Sequence, residues 1–327
     1  MSGRTPQRDF RQEVTNRVIE MLESGVAPWQ KPWEAAPLAM PANVVTGKPY
    51  RGGNAFNLLS IAMERGYDDP RWMTFKQAAD QGWHVKRGEH GSQIEFWEFK
   101  PAAPKDSTGP TEDGSDDPES DESRRRFIQR VYTVFNASQI EGIPPLPLEP
   151  RPDIEVIEAG ERILKNSEAV IIHDQADRAY YTRARDEIHL PRREYFKDAP
   201  GYYGTALHEL AHWTGHPARL NRLTLSRGYN FGDPEYAREE LRAELTSLFL
   251  AAERGIPHDP SSHAAYVGSW IKALKDDKHE IFRAAQDAAA ATDYLLKLER
   301  GQDLETPEGQ EPDTYARHVR SPTLTSR

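Results

Sequence analysis

An α+β protein built from two segments is what this sequence predicts, and three observations predict it. Apolar residues recur at helical spacing in several stretches, as in Phe10, Val14, Val18 and Leu22. Elsewhere aromatic and β-branched residues run together as strands do, in residues 93–100 and 127–135. Between the halves lie Pro144, Pro145, Pro147, Pro150 and Pro152, a spacing that favours extended polyproline II and a semi-rigid linker. The expected organisation is a first segment over 1–142, a Pro-rich linker over 143–153, a second segment over 154–301 and a disordered polar tail over 302–327.

Each element has its own signal. The first helix stops at Gly25 and is followed by a Trp/Pro-rich loop, Pro28-Trp29-Gln30-Lys31-Pro32-Trp33. A second helix is expected over 54–65, with Gly66 beyond it. Thr74 and Gln77 form a capping box that opens a third, which ends near Gly82. The strands 93–100 and 127–135 should pair as a short antiparallel sheet. The stretch 101–123 between them is Asp, Glu, Ser, Pro and Gly, and reads as a solvated, disordered loop. In the second segment a helix is expected over 153–166. Strands follow at 169–172, around Tyr180-Tyr181 and at 188–190. Three helices then cover 201–213, 234–254 and a long stretch ending near Arg300.

Composition narrows the chemistry. Cysteine is absent, which excludes disulfides, thiolate metal sites and a Cys nucleophile, and fits a reducing cytoplasm. Any metal must be held by His, Asp or Glu. No apolar run of membrane-spanning length occurs, and the first eight residues lack the apolar stretch of a secretory signal, so the expected location is cytoplasmic, without a membrane partner. The net charge is −10, but it is unevenly spread. Residues 1–100 carry +1, residues 101–123 carry −7, residues 124–142 carry +3 and residues 143–327 carry −7. A mildly basic segment, interrupted by an acidic stretch, thus precedes an acidic one, which suggests separate tasks.

His208-Glu209-Leu210-Ala211-His212 places two imidazoles four residues apart on one helical face, where both can grip one metal. Glu209 lies about 100° round the helix, within reach of a water at that metal as general base. A catalytic metal needs a third protein ligand. The position where a third His would continue the motif is Ala218, so a carboxylate from another helix is the natural candidate. Over 234–254, with Glu240 set at zero, Glu244 falls at about 40° and Leu248, Leu241 and Leu245 at roughly 80° to 140°, at about 100° per residue. Two carboxylates therefore share an apolar arc. Glu239 projects to the opposite side, which should be solvated, with Arg238 and Arg242 near it. The assignment is Glu240 as third ligand and Glu244 as acceptor behind a ligand imidazole, the reverse remaining open. Two imidazoles and a carboxylate suit Zn2+, and Mn2+, Co2+ or Fe2+ fit the same donors. His216 should lie past the helix end, on the surface or the substrate side. The segment 186–191 should form the edge strand beside the cleft and could receive an extended peptide.

In the first segment aromatic and basic residues interleave. Trp29, Trp33, Trp72, Trp83 and Trp97 lie among Lys31, Lys48, Arg51, Arg71, Lys76, Lys86 and Arg87, a pattern in which bases stack and cations follow phosphates. Glycines in Tyr50-Arg51-Gly52-Gly53-Asn54 and Gly88-Glu89-His90-Gly91 allow close backbone approach.

These residues carry a family resemblance. Residues 27–33, 49–54, 72–78, 86–88 with Gly91, and 134–139, with His208–His212 and Glu239–Leu245, resemble the ArdC antirestriction proteins of conjugative plasmids, which are related to the N-terminal region of TraC-type primases. The resemblance implies an α/β, single-stranded-DNA-binding first segment and a zincin-like α+β metallopeptidase second segment, protecting incoming plasmid DNA from host restriction. Residues expected at the strand are Trp29, Lys31, Trp33, Tyr50, Arg51, Asn54, Trp72, Lys76, Lys86 and Arg87; those at the metal are His208, His212 and Glu240, with Glu209 catalytic and Glu244 behind. A protein or peptide substrate would be the second partner. Two other readings use the same residues: an intracellular zinc protease whose first segment binds protein, and a non-catalytic DNA-binding protein with a structural metal.

Overall fold

In the computed structural model, residues 9–25, 39–100, 126–146, 153–226, 233–256 and 266–301 are described. The expected acidic loop, the Trp/Pro loop, most of the linker and the tail lie outside them.

Helix α1 (Phe10–Glu23) begins where the Asp9 carboxylate accepts from the Gln12 N–H, and its apolar stripe of Phe10, Val14, Val18 and Leu22 is buried. Helix α2 (Gly52–Arg65) ends on Gly66, whose φ of 66° is left-handed. Strands β1 (Ala42–Asn43) and β2 (Arg71–Thr74) flank α2 in sequence. Helix α3 (Phe75–Asp80) has both bonds of the Thr74–Gln77 capping box. It is followed by β3 (His84–Val85), β4 (Ser92–Lys100), β5 (Arg126–Asn136) and β6 (Ile140–Glu141). β4 and β5 pair antiparallel in unbroken register from Ser92–Val134 to Lys100–Arg126. The sheet is larger than the expected hairpin. Its order is β1-β2-β5-β4, with β1 parallel to β2, while β3 and β6 form a separate ribbon.

After α4 (Asp153–Asn166) come β7 (Val170–Gln175), β8 (Tyr180–Thr182) and β9 (Glu187–Pro191), ordered β7-β9-β8. This corrects one expectation. The strand within 186–191 is the middle of its sheet, parallel to β7 and antiparallel to β8, so its backbone is already paired on both sides. The free edge beside the cleft belongs to β8. Then follow α5 (Ala199–Thr214), the short α6 (Leu223–Ser226), α7 (Pro234–Arg254), α8 (Val267–Asp276) and α9 (Glu280–Glu299).

The main core draws on both sides of the linker. Val14, Val18 and Leu22 of α1 and Phe56 and Leu59 of α2 share one cluster with Leu241, Leu245 and Phe249 of α7, Trp270 of α8 and Phe282 of α9. Each such side chain contributes about 1.5–3 kcal/mol on leaving water. α2 and α9 approach closely because the contact residues are small. A Cβ at Gly53 would sit 2.4 Å from the Phe282 ring, and Ala284, Ala285, Ala288 and Ala291 of α9 have no exposed surface. A second cluster packs α5 on α4, β9, α7 and α9 through Ile163, Leu190, Leu207, Leu210, Leu250 and Leu295. α5 and α7 therefore lie against each other in the interior, and their facing sides carry the charged residues that follow.

Candidate metal centre

Helix α5 starts at Asp198, whose carboxylate accepts from the Gly201 N–H, and gives way at Gly215. It buries His208, Glu209 and His212 together. α7 supplies Glu239, Glu240 and Glu244 from the facing side. His208 Nε2 lies 3.3 Å from one Glu240 oxygen, His212 Nε2 lies 3.4 Å from the other, and the two Nε2 atoms are 3.2 Å apart. The ligand atoms of His208, His212 and Glu240 all fall within 4.8 Å of one another. The opposite ring nitrogens are held too: His208 Nδ1 lies 3.1 Å from Glu244, and His212 Nδ1 lies 3.3 Å from Glu239.

The chemistry of this donor set fits a divalent metal. With Nδ1–H donated to carboxylates, each ring turns an Nε2 lone pair towards the other ring and towards Glu240. Three acceptors facing each other repel unless a cation lies among them. Tetrahedral coordination with bonds near 2.0–2.1 Å sets ligand atoms about 3.3 Å apart, close to the 3.2 Å between the two Nε2 atoms. Burial works against a charged His208, but Glu240 and Glu244 outweigh it and hold the imidazole well above its ordinary value. His212 is likewise opposed by burial, and Glu240 and Glu239 raise it to about 9. Glu240 is held well below the carboxylate range, the two imidazoles overcoming its burial.

Glu239 corrects a second expectation. It is not solvated: none of its surface is exposed, and beyond His212 it accepts from Arg222 and the Thr224 hydroxyl. Arg222, with the His212 imidazole, overcomes burial and draws Glu239 down to about 2. Arg242 is buried as well, bonded to Glu280 at 2.7 Å and to Asp287 at 2.6 Å. A helical projection assumes one watery side, whereas α7 is buried almost continuously from Ala237 to Ala252. Arg222 reaches Glu239 by passing Gly215, where a Cβ would stand 2.7 Å from the guanidinium. His216 lies past the helix end, and its Nδ1 accepts from the Ala218 N–H.

A cleft of about 570 Å3 opens on the three acceptors and on Glu209. Its other walls include Tyr180, Tyr181 and Arg178 at the β8 edge, Leu225, and the Tyr236–Tyr266 pair, whose hydroxyls are 2.9 Å apart. Burial and the nearby Glu240 carboxylate push the Tyr236 hydroxyl far up. Arg222, Thr224, Tyr236 and Tyr266 were not expected at the site, and Glu239 was expected in solvent. Only Glu239 and Tyr236 carried a signal, their closeness to Glu240 along α7.

The residues expected at a nucleic-acid strand fare differently. Trp29, Lys31 and Trp33 lie outside the described residues. Trp72 is wholly buried against Leu58 and Ile61 and has no face for a base, which corrects its expected role. The Asn54 amide donates to the Glu95 carbonyl at 2.7 Å and accepts from the Glu95 N–H at 3.0 Å, tying α2 to β4. Tyr50 packs on the core and its hydroxyl accepts from Asn43. Arg51 is exposed but is held by Glu253 at 2.6 Å and Asp293 at 3.3 Å, tying α2 to α7 and α9. Lys76, Lys86 and Arg87 are exposed, with Lys86 donating to the Ser138 carbonyl.

Known proteins resemble both halves of this chain. Residues 158–287 match the zincin-like metallopeptidase family, and residues 8–135 match the N-terminal domain of the anti-restriction factor ArdC. The metal-free crystal structure of the antirestriction ArdC protein from plasmid R388 superposes with a TM-score of 0.71 at 36% identity, covering 90% of this chain and 100% of that one. The Mn(II)-bound form of that protein gives 0.68 at 37% identity, covering 89% and 98%. A Sinorhizobium fredii protein, y4eC, is 33% identical over 90% of this chain and 94% of its own length. A DNA primase TraC of Escherichia coli is 48% identical over 303 residues, but this chain spans only 28% of that protein.

Proposed function

We infer the function from a plain premise: this chain belongs to the ArdC antirestriction family. It protects entering DNA from host restriction, binds single-stranded DNA through its first segment, and hydrolyses peptide bonds at the centre between α5 and α7. The observation that carries the enzymatic part is the facing pair of imidazoles, each anchored behind by a carboxylate and each turned to Glu240.

His208, His212 and Glu240 would hold a divalent metal, with Zn2+ and Mn2+ both suited to the donors. When bound, such an ion polarises a carbonyl and lowers the pKa of a water. The remaining chemistry belongs to this chain's own side chains. Glu244 and Glu239 fix the imidazole tautomers by accepting from Nδ1. Glu209 lines the cleft one residue from His208, takes a proton from the attacking water and returns it to the departing amine. The free edge of β8 offers backbone groups to an extended peptide.

Protein purified without added metal should carry about one divalent ion per chain by elemental analysis, and His208→Ala should lose it. Glu209→Gln should keep the ion yet lose peptide cleavage. If the wild-type chain carries no stoichiometric ion, or if His208→Ala keeps the same content, the enzymatic reading fails. A conjugation assay into a restricting host decides whether cleavage serves protection: Glu209→Gln should then lower plasmid establishment.

A further inference from the structure

The β4–β5 hairpin has two unlike faces. Along its register alternate residues point to opposite sides. One face holds Glu95 and Trp97 across from Val131 and Gln129. There Glu95 is buried and accepts from Arg11 and Gln129, and the Arg11 guanidinium lies over the Trp97 ring. The other face holds Ile94 and Phe96 across from Tyr132 and Arg130. Its inner end is core, where Ile94 packs beside Val134 and Trp72.

Its outer end faces water. Phe96 is 55% exposed and Tyr132 41%, with their rings 6.3 Å apart and inclined by 73°. Arg130, the cross-strand partner of Phe96, is exposed as well. This is also where charge turns against the chain's average: residues 124–142 carry +3 in a protein of −10.

An exposed aromatic pair next to cations matches the chemistry of an unpaired polynucleotide, whose bases offer flat π-faces and whose backbone is anionic. Rings inclined to each other suit splayed bases, while a duplex keeps its base faces stacked inside. We propose that single-stranded DNA docks on this outer face, with bases on Phe96 and Tyr132 and Arg130 at a phosphate. The proposal rests on the DNA-binding part of the function above. It supplies stacking side chains in place of Trp72, which is buried.

Full-length protein titrated with a labelled oligothymidylate reads it out by anisotropy. Phe96→Ala and Tyr132→Ala should each weaken binding by roughly 5- to 100-fold, and Phe96→Tyr should preserve it. Arg130→Gln should lower the slope of log affinity against log salt by about 0.7. Phe75→Ala removes a more exposed ring on α3 and should change nothing. A 5-bromouracil strand should crosslink to the peptides holding Phe96 or Tyr132. If the wild-type chain binds the strand and the double alanine variant, folded by circular dichroism, binds equally well, the platform is wrong and the DNA-binding reading stands. If the wild-type chain binds no oligonucleotide, both fall. Tighter binding of a duplex, or of oligouridylate through the same two rings, would overturn the assignment to single-stranded DNA.

Discussion

Glu244 and Glu239 decide what the two imidazoles can do. Each accepts from an Nδ1 and thereby turns an Nε2 lone pair to the shared centre. Glu244→Gln should weaken metal affinity about 10- to 100-fold while leaving all three acceptors in place, measured by competition with a chelating dye. Another buried carboxylate gives a pH signature. Glu280 is opposed by burial, yet Arg242 and Arg283 hold it below its ordinary 4.5. Its ionised form is thus favoured by folding. The stabilisation is present in full above pH 4.5 and is lost as pH falls through the lower, folded value. Glu280→Gln should cost about 3–5 kcal/mol near pH 7, and the gap from wild type in urea unfolding should close as pH drops below 4.5.

Among the elements, α7 does most to position the site. It is surrounded by α5, α6, α8 and α9, so Glu239, Glu240, Arg242 and Glu244 are buried and each has a partner. That is why Glu239 and Arg242, which a two-sided projection sends to solvent, end in ion pairs. β8 is placed by its sheet: β9 is paired on both flanks, and β8 is the outer strand that lines the cleft. The α2–α9 contact is set by Gly53. Gly53→Ala would drive a methyl into Phe282 and should cost about 1–3 kcal/mol as overpacking, measured by thermal or urea unfolding.

At the scale of the whole molecule, the Pro-rich linker joins two stretches that share a core. α1 and α2 cover apolar surface on α7, α8 and α9. Full-length protein should therefore unfold in one cooperative transition seen alike by far- and near-ultraviolet circular dichroism. Residues 153–301 alone should expose the uncovered faces of Leu241, Leu245 and Trp270 and bind a hydrophobic dye. A metal bound only by the folded chain should raise the unfolding midpoint, by about 4 kcal/mol in stability at a thousandfold excess over its dissociation constant.

Local signals were legible wherever a residue acts through its own helix turn or strand. The capping box at Thr74, the stop at Gly66, the hairpin strands and the i, i+4 histidines all depend on neighbours a few residues away. Glu240 was within reach because its arc on α7 is itself a local property. What lay beyond reach needed elements distant in sequence to meet. Arg222 passing Gly215 to reach Glu239, Trp72 closing against α2, and the linker's two sides sharing one core are decided by packing alone. The same alternation of side chains places Phe96 and Tyr132 on one face of the hairpin, but only the extent of α2's cover determines that this end of the face stays open to water.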